Sequence, residues 1–156
     1  MNQRIINRVY VDGCAVGGLF NQYAEQTEPF WNAVKNGEIV IIVSDVLEQE
    51  VARAPQCVRD FFDSLPKSQM EIVVSTKESN TLAKRYIAEK VVGPKSLADC
   101  KHIAIATLAN AGVVVSWNFG HMVNKSRILG YNSVNMKLGY AQIDIRTPYE
   151  VINDET

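Results

Sequence analysis

The sequence predicts an α/β protein of three layers, α/β/α, with a central, mainly parallel sheet of four or five strands. Two observations carry that reading. Short runs such as Ile39 to Val43 and Val113 to Val115 are continuously apolar and rich in β-branched residues, as strands buried on both faces are. Between such runs lie stretches whose apolar residues recur three or four apart, and strands alternating with helices join most simply by parallel crossovers. The 156 residues suit a single domain spanning 1–156, long enough to bury one core.

Taken in order, Ile5 to Val11 reads as the first strand, stopped by a turn at Asp12-Gly13. Glu28-Pro29 precedes a helix over Phe30 to Lys35, with Pro29 in its first turn and Asn36-Gly37 closing it. Ile39 to Val43 is the second strand. Ser44 then caps a helix to about Arg53, and a further helix from Gln56 to Leu65 stops at Pro66. Glu71 to Val74 is the third strand. Ser75 and Glu78 have capping-box spacing before a helix containing Leu82, Ala83, Tyr86 and Ile87. Gly93-Pro94 ends that helix, and Ser96 begins another that runs to about Ala109 and stops at Asn110-Ala111-Gly112. Val113 to Val115 is the fourth strand, and a last one lies near Gln142 to Ile145. No repeat or low-complexity segment interrupts the pattern.

Composition narrows the function classes. Sixteen basic and seventeen acidic residues give a net charge of -1, so bulk charge supplies no general attraction to a polyanion. The three cysteines, Cys14, Cys57 and Cys100, lack metal-ligand spacing and an even count, against both a zinc site and a disulfide framework. No run approaches the ~20 apolar residues of a membrane span, and the N-terminal run lacks a signal-peptide pattern. A cytoplasmic protein without membrane contact is the expectation.

In a parallel sheet, ligands gather at the carboxyl ends of the strands, and Asp12 and Asn118 fall there. Glu50 and Asp99, each on a helix following a strand or loop, can reach the same end. Three carboxylates and an amide make an all-oxygen site suited to Mg²⁺ or Mn²⁺. Such ions activate water for phosphodiester hydrolysis. Singly, each acid has a structural explanation. An Asp-Gly turn accounts for Asp12, the helix dipole favours Asp99 in a first turn, and Glu50 competes with Asp45 and Glu48. Their combination is the informative feature.

These residues resemble those of the PIN domains, in particular the small VapC-like toxin ribonucleases of type II toxin–antitoxin pairs, and the resemblance spans nearly the whole chain. Val9-Tyr10-Val11-Asp12 looks like the family's opening strand and first aspartate, continued by Val16-Gly17-Gly18-Leu19-Phe20. Ser44 followed by Glu50-Val51 matches the second motif and selects Glu50. Asp99-Cys100-Lys101-His102-Ile103-Ala104 resembles the third. The tryptophan-containing Ser116-Trp117-Asn118-Phe119-Gly120-His121 is similar to the fourth and is the most specific string. The resemblance implies a PIN-like fold and an endoribonuclease using Mg²⁺ or Mn²⁺. In it Asp12, Glu50 and Asp99 are catalytic and hold metal with Asn118, so that activated water attacks an RNA phosphate. It also implies a homodimer and a small antitoxin protein as partner. Two departures stand out: Asn118 replaces a fourth aspartate, and Gly13-Cys14 replaces the usual hydroxyl residues. They keep open a catalytically weak or inactive module that binds RNA or protein.

Lys101, Asn118 and His121 are the candidate substrate contacts, whereas His102, one turn beyond Asp99, is assigned a structural role. Trp117 could stack a base or pack beneath the sheet. Lys125, Arg127, Lys137 and Arg146 face the single acid Asp144 between His121 and Arg146, which marks a surface for RNA or a partner. A haloacid-dehalogenase-type phosphatase needs an aspartate where Cys14 stands. A receiver domain needs adjacent acids near the first strand. A dinucleotide fold needs glycine spacing absent at Gly13, Gly17 and Gly18.

Overall fold

The computed structural model describes residues 8–153. Five strands, β1 (Arg8–Val11), β2 (Val40–Ser44), β3 (Met70–Val73), β4 (Val113–Val115) and β5 (Ile145–Arg146), form one sheet in the order β3-β2-β1-β4-β5. Every pairing is parallel. The order turns back at β1, whose register runs Val9↔Ile41 on one side and Val9↔Val113 on the other. That reversal opens a crevice at the carboxyl ends of β1 and β4.

The strands are apolar throughout because both of their faces are covered. Val9, Val11, Ile41, Val43, Val113 and Val115 enter one core, against helices α1 (Gly13–Gly17), α2 (Ala24–Lys35), α3 (Asp45–Ala52) and α4 (Gln56–Asp63). The alternate residues Tyr10, Ile42, Val114 and Ile145 enter the other, against α5 (Lys77–Ala88), α6 (Leu97–Leu108) and α7 (Lys125–Lys137). A short α8 (Pro148–Asn153) packs back on α2. The three-layer α/β/α expectation is met.

Several boundaries differ from expectation for local reasons. Residues 5–7 of the first predicted strand lie outside the described residues. At Asp12-Gly13 there is no simple turn: Asp12 is the N-cap of α1, its side chain accepting from the Ala15 N–H. Helix α2 begins at Ala24, so Pro29 lies inside it. The capping box is formed by Thr76 and Ser79, because Ser75 gives its N–H and hydroxyl to Asp45 instead. Strand β5 starts only at Ile145, since the Ile143 N–H and C=O are both bonded by the Asn132 side chain. Helix α7 was not expected at all; its buried Tyr131, Val134 and Asn135 close the second core.

Candidate active site

Each predicted acid sits where an element ends or begins. Asp12 leaves β1 at the crevice and is only 4 % exposed. Its Oδ1 accepts from the Ala15 N–H (3.0 Å) and its Oδ2 from the Ser116 hydroxyl (2.6 Å). The Cys14 thiol lies 3.3 Å from both oxygens and is itself reached by the Trp117 N–H. The Gly13-Cys14 departure therefore leaves Asp12 with a donor: burial and then the Asp12 charge push the thiol pKa up, so it stays protonated. Burial also raises the Asp12 pKa, and the His102 charge and the Ser116, Ala15 and Cys14 hydrogen bonds only partly offset it.

Glu50 projects from α3 and is anchored by one oxygen. Its Oε1 accepts from the Gly13 N–H (3.0 Å) and pairs with His102 Nε2 (3.0 Å). Its Oε2 has no hydrogen bond among the described residues. Asp45 is tied to Ser75, and Glu48 is exposed, so of the three neighbouring acids it is Glu50 that faces His102. Gly13 makes the anchor possible, because a Cβ there would stand 2.6 Å from Glu50 Oε1. Gly13→Ala is expected to displace the carboxylate and lower divalent-cation affinity by about 10-fold, read by calorimetry, while leaving the far-ultraviolet circular dichroism unchanged.

Behind Glu50 runs a buried chain of polar groups that the sequence reading reduced to a structural histidine. His102, 1 % exposed, meets Glu50 through Nε2 and the Tyr10 hydroxyl through Nδ1 (2.5 Å). Tyr10 in turn bonds the Ser44 hydroxyl (2.7 Å), which accepts the Leu47 N–H at the start of α3. Burial pushes the His102 pKa down, but the hydrogen bond to Glu50 and then the charges of Glu50, Asp12 and Asp99 outweigh it, and the net direction is up. In its protonated form the ring gives one N–H to Glu50 and the other to Tyr10, leaving the Tyr10 hydroxyl to donate to Ser44. Glu50 responds in kind: burial raises its pKa, but the bond and charge of His102 carry it below its ordinary value. His102 thus touches one acid and feels the field of all three.

Asp99, in the first turn of α6, belongs to a second group. Its Oδ2 accepts from the Asn118 amide (3.2 Å) and lies 3.4 Å from His121 Nδ1. Ser96 does not cap α6 with its side chain; its hydroxyl sits 3.2 Å from His121 Nδ1. Asn118 Oδ1 accepts the His121 N–H, and the Asn118 N–H reaches the same Ser116 hydroxyl that bonds Asp12. The amide at 118 therefore links the two groups where a carboxylate would repel Asp99. Lys101, on the next turn of α6, is half-buried, and its ammonium makes no hydrogen bond or ion pair among the described residues.

The basic segment is a correction. Arg127 donates to the Val91 and Gly120 carbonyls, Lys137 pairs with Glu89 and Arg146 with Asp144. Three of its four cations hold the protein's own elements together rather than forming an open positive surface.

Carboxylate and amide oxygens are the right donors for a hard divalent ion, and Glu50 Oε2 and Asp99 Oδ1 are unclaimed by the protein among the described residues. In their present rotamers, however, no three His, Cys, Asp or Glu side chains among the described residues are gathered to hold one. The donor set fits in kind.

No family model and no curated protein matches the chain. Among solved structures it is similar to a chain of "VapBC2 from Rickettsia felis bound to a DNA fragment from their promoter". The two share 12% identity and a TM-score of 0.54, over 90% of this chain and 98% of that one. An identity that low speaks for architecture alone. No helix among the described residues is long and apolar enough to cross a membrane. The chain has the PIN-like α/β/α fold that its strand-end residues led one to expect.

Proposed function

We propose that this protein is a divalent-metal-dependent endoribonuclease, hydrolysing RNA phosphodiester bonds as the toxin of a toxin–antitoxin pair. The observation that carries the reading is the set of hydrogen bonds at the crevice of a PIN-like sheet that joins Asp12 to Asp99 through Ser116 and Asn118 and holds Glu50 on the N–H of Gly13, next to Asp12. Glu50 and Asp99, with Asp12 and Asn118 behind them, are the residues that would hold Mg²⁺ or Mn²⁺. Such an ion, when bound, supplies Lewis-acid stabilisation of phosphoryl charge and lowers the pKa of water. The chain's own contribution is orientation. His102 and the Gly13 N–H fix one Glu50 oxygen and leave the other to the site, while Ser116 and Cys14 hold Asp12 at the strand end. His121, 3.4 Å from Asp99, and Lys101, two residues further along α6, are the residues assigned to the substrate phosphate in this proposal.

The R. felis structure is of VapBC2 bound to a fragment of promoter DNA; for this chain a small antitoxin partner, a homodimer and a cytoplasmic setting are part of the proposal. A second reading, a weak or inactive module that binds RNA or protein, is favoured by the inward bonding of both Asp12 oxygens. Calorimetric titration with Mn²⁺, followed by incubation with mixed single-stranded RNA, decides between them. The wild type should bind and cleave, and Asp99→Asn should lose cleavage by about 10²–10³-fold. Absence of both binding and cleavage in the wild type would move the protein to the second reading.

A further inference from the structure

Beside the carboxylates lies an aromatic cluster that the site as described does not use. Tyr23 and Trp117 stack with ring centroids 4.3 Å apart and planes 5° apart. Phe119 tilts against both, at 6.3 and 6.0 Å. Trp117 is held rigidly: its indole N–H donates to Thr27 Oγ1 at 2.8 Å, and its backbone N–H reaches Cys14 Sγ. Gly18 gives it room, since a Cβ there would stand 2.8 Å from the indole ring. Phe119, by contrast, is 48% exposed, and Tyr23 is partly so.

The position of these rings is set by the site itself. Trp117 lies between Ser116, which bonds Asp12, and Asn118, which bonds Asp99; Phe119 follows directly. The exposed ring of Phe119 thus follows by one residue the Asn118 whose amide bonds Asp99. The protein has a net charge of -1, and Arg127, Lys137 and Arg146 are bonded within the protein, so binding of a polyanion must draw on something other than bulk charge. Flat aromatic faces supply it, because every base has a π-face.

We propose that Tyr23, Trp117 and Phe119 form a stacking platform for an unpaired nucleobase of single-stranded RNA next to the bond to be cut. The proposal rests on the nuclease reading for its choice of RNA over a polypeptide. It implies preference for single strands, whose bases are free to splay, over duplex.

Trp117 reports its own occupancy: the other tryptophan, Trp31, is 1% exposed and provides a constant background. The full chain, in chelator so that no cleavage intervenes, is titrated with an eight-nucleotide mixed-sequence RNA while tryptophan emission is followed. Saturable quenching is expected, weakened about 10-fold in Phe119→Ala and in Tyr23→Ala but retained in Phe119→Tyr. An abasic oligomer of equal length should bind as weakly to the wild type as RNA does to Phe119→Ala. Equal affinity for RNA and abasic oligomer, unchanged affinity in Phe119→Ala, or an emission change that follows protein concentration without RNA would each overturn the platform. Quenching by RNA without cleavage on adding Mn²⁺ would keep the platform and remove the nuclease reading; cleavage without stacking would do the reverse.

Discussion

Asp12→Asn is expected to raise the Tm of the metal-free protein at pH 7 while lowering RNA cleavage by about 10²–10³-fold. The two effects have one origin. Burial raises the folded-state pKa of Asp12 above its unfolded value, so its favourable contribution is present below pH 3.8 and is lost as pH rises through the folded pKa. Above the folded pKa the enclosed carboxylate opposes folding. Asparagine removes the charge and still caps α1, since its Oδ1 can accept the Ala15 N–H as Asp12 does. The stabilisation should therefore shrink as the pH is lowered towards 4, which a series of thermal melts in chelator would read. Mn²⁺ should raise the Tm of the wild type but not of the variant, as a ligand that binds only the folded state does. A variant less stable than wild type at pH 7 would mean that the Ser116 and Cys14 bonds outweigh the desolvation of the charge.

Tyr10→Phe is expected to cost about 1–3 kcal/mol of unfolding free energy, because it leaves a buried His102 N–H without an acceptor. The companion change His102→Leu removes that orphan. The double variant should thus recover stability relative to Tyr10→Phe alone, giving a coupling that urea melts on the four proteins of the cycle can measure. Activity should not recover. Glu50 loses its His102 partner in both variants that carry His102→Leu and keeps only the Gly13 N–H, and loss of such a supporting contact lowers metal affinity or turnover by about 10–100-fold. Additive stability changes would show that Tyr10 and His102 are independent neighbours rather than a single relay.

The sheet was legible because double burial writes itself as unbroken apolar runs, and β4 matches its predicted range of Val113 to Val115. Helix α7 was illegible for the opposite reason. Its core face includes Asn135, a polar residue satisfied by Tyr86, Thr107 and the Ala141 carbonyl. Gly130 in its middle reads as a breaker, yet a Cβ there would stand 2.8 Å from Val91, so glycine is what permits the close approach. In the site, strand-end position pointed to Asp12 and Asn118, while Glu50 stood out from Glu48 only through the family resemblance. The role of Tyr10 was hidden because an aromatic within an apolar strand looks like core; its hydroxyl, buried and obliged to find a partner, was the available signal. Gly13 looked like a loss of function, and only the approach of Glu50 to its backbone gives it a purpose.

The parallel register of β1 against β4 also sets a timetable. Val9 pairs with Val113, and Asp12 is bonded by Ser116, across two thirds of the sequence. Contacts so distant along the chain form late, after the loop between them has been closed. On a ribosome, β1 emerges early and waits, with its aspartate unsupported, until β4 and the loop to His121 have been made. The nuclease proposed above would thereby be harmless to the message that encodes it until late in its own synthesis.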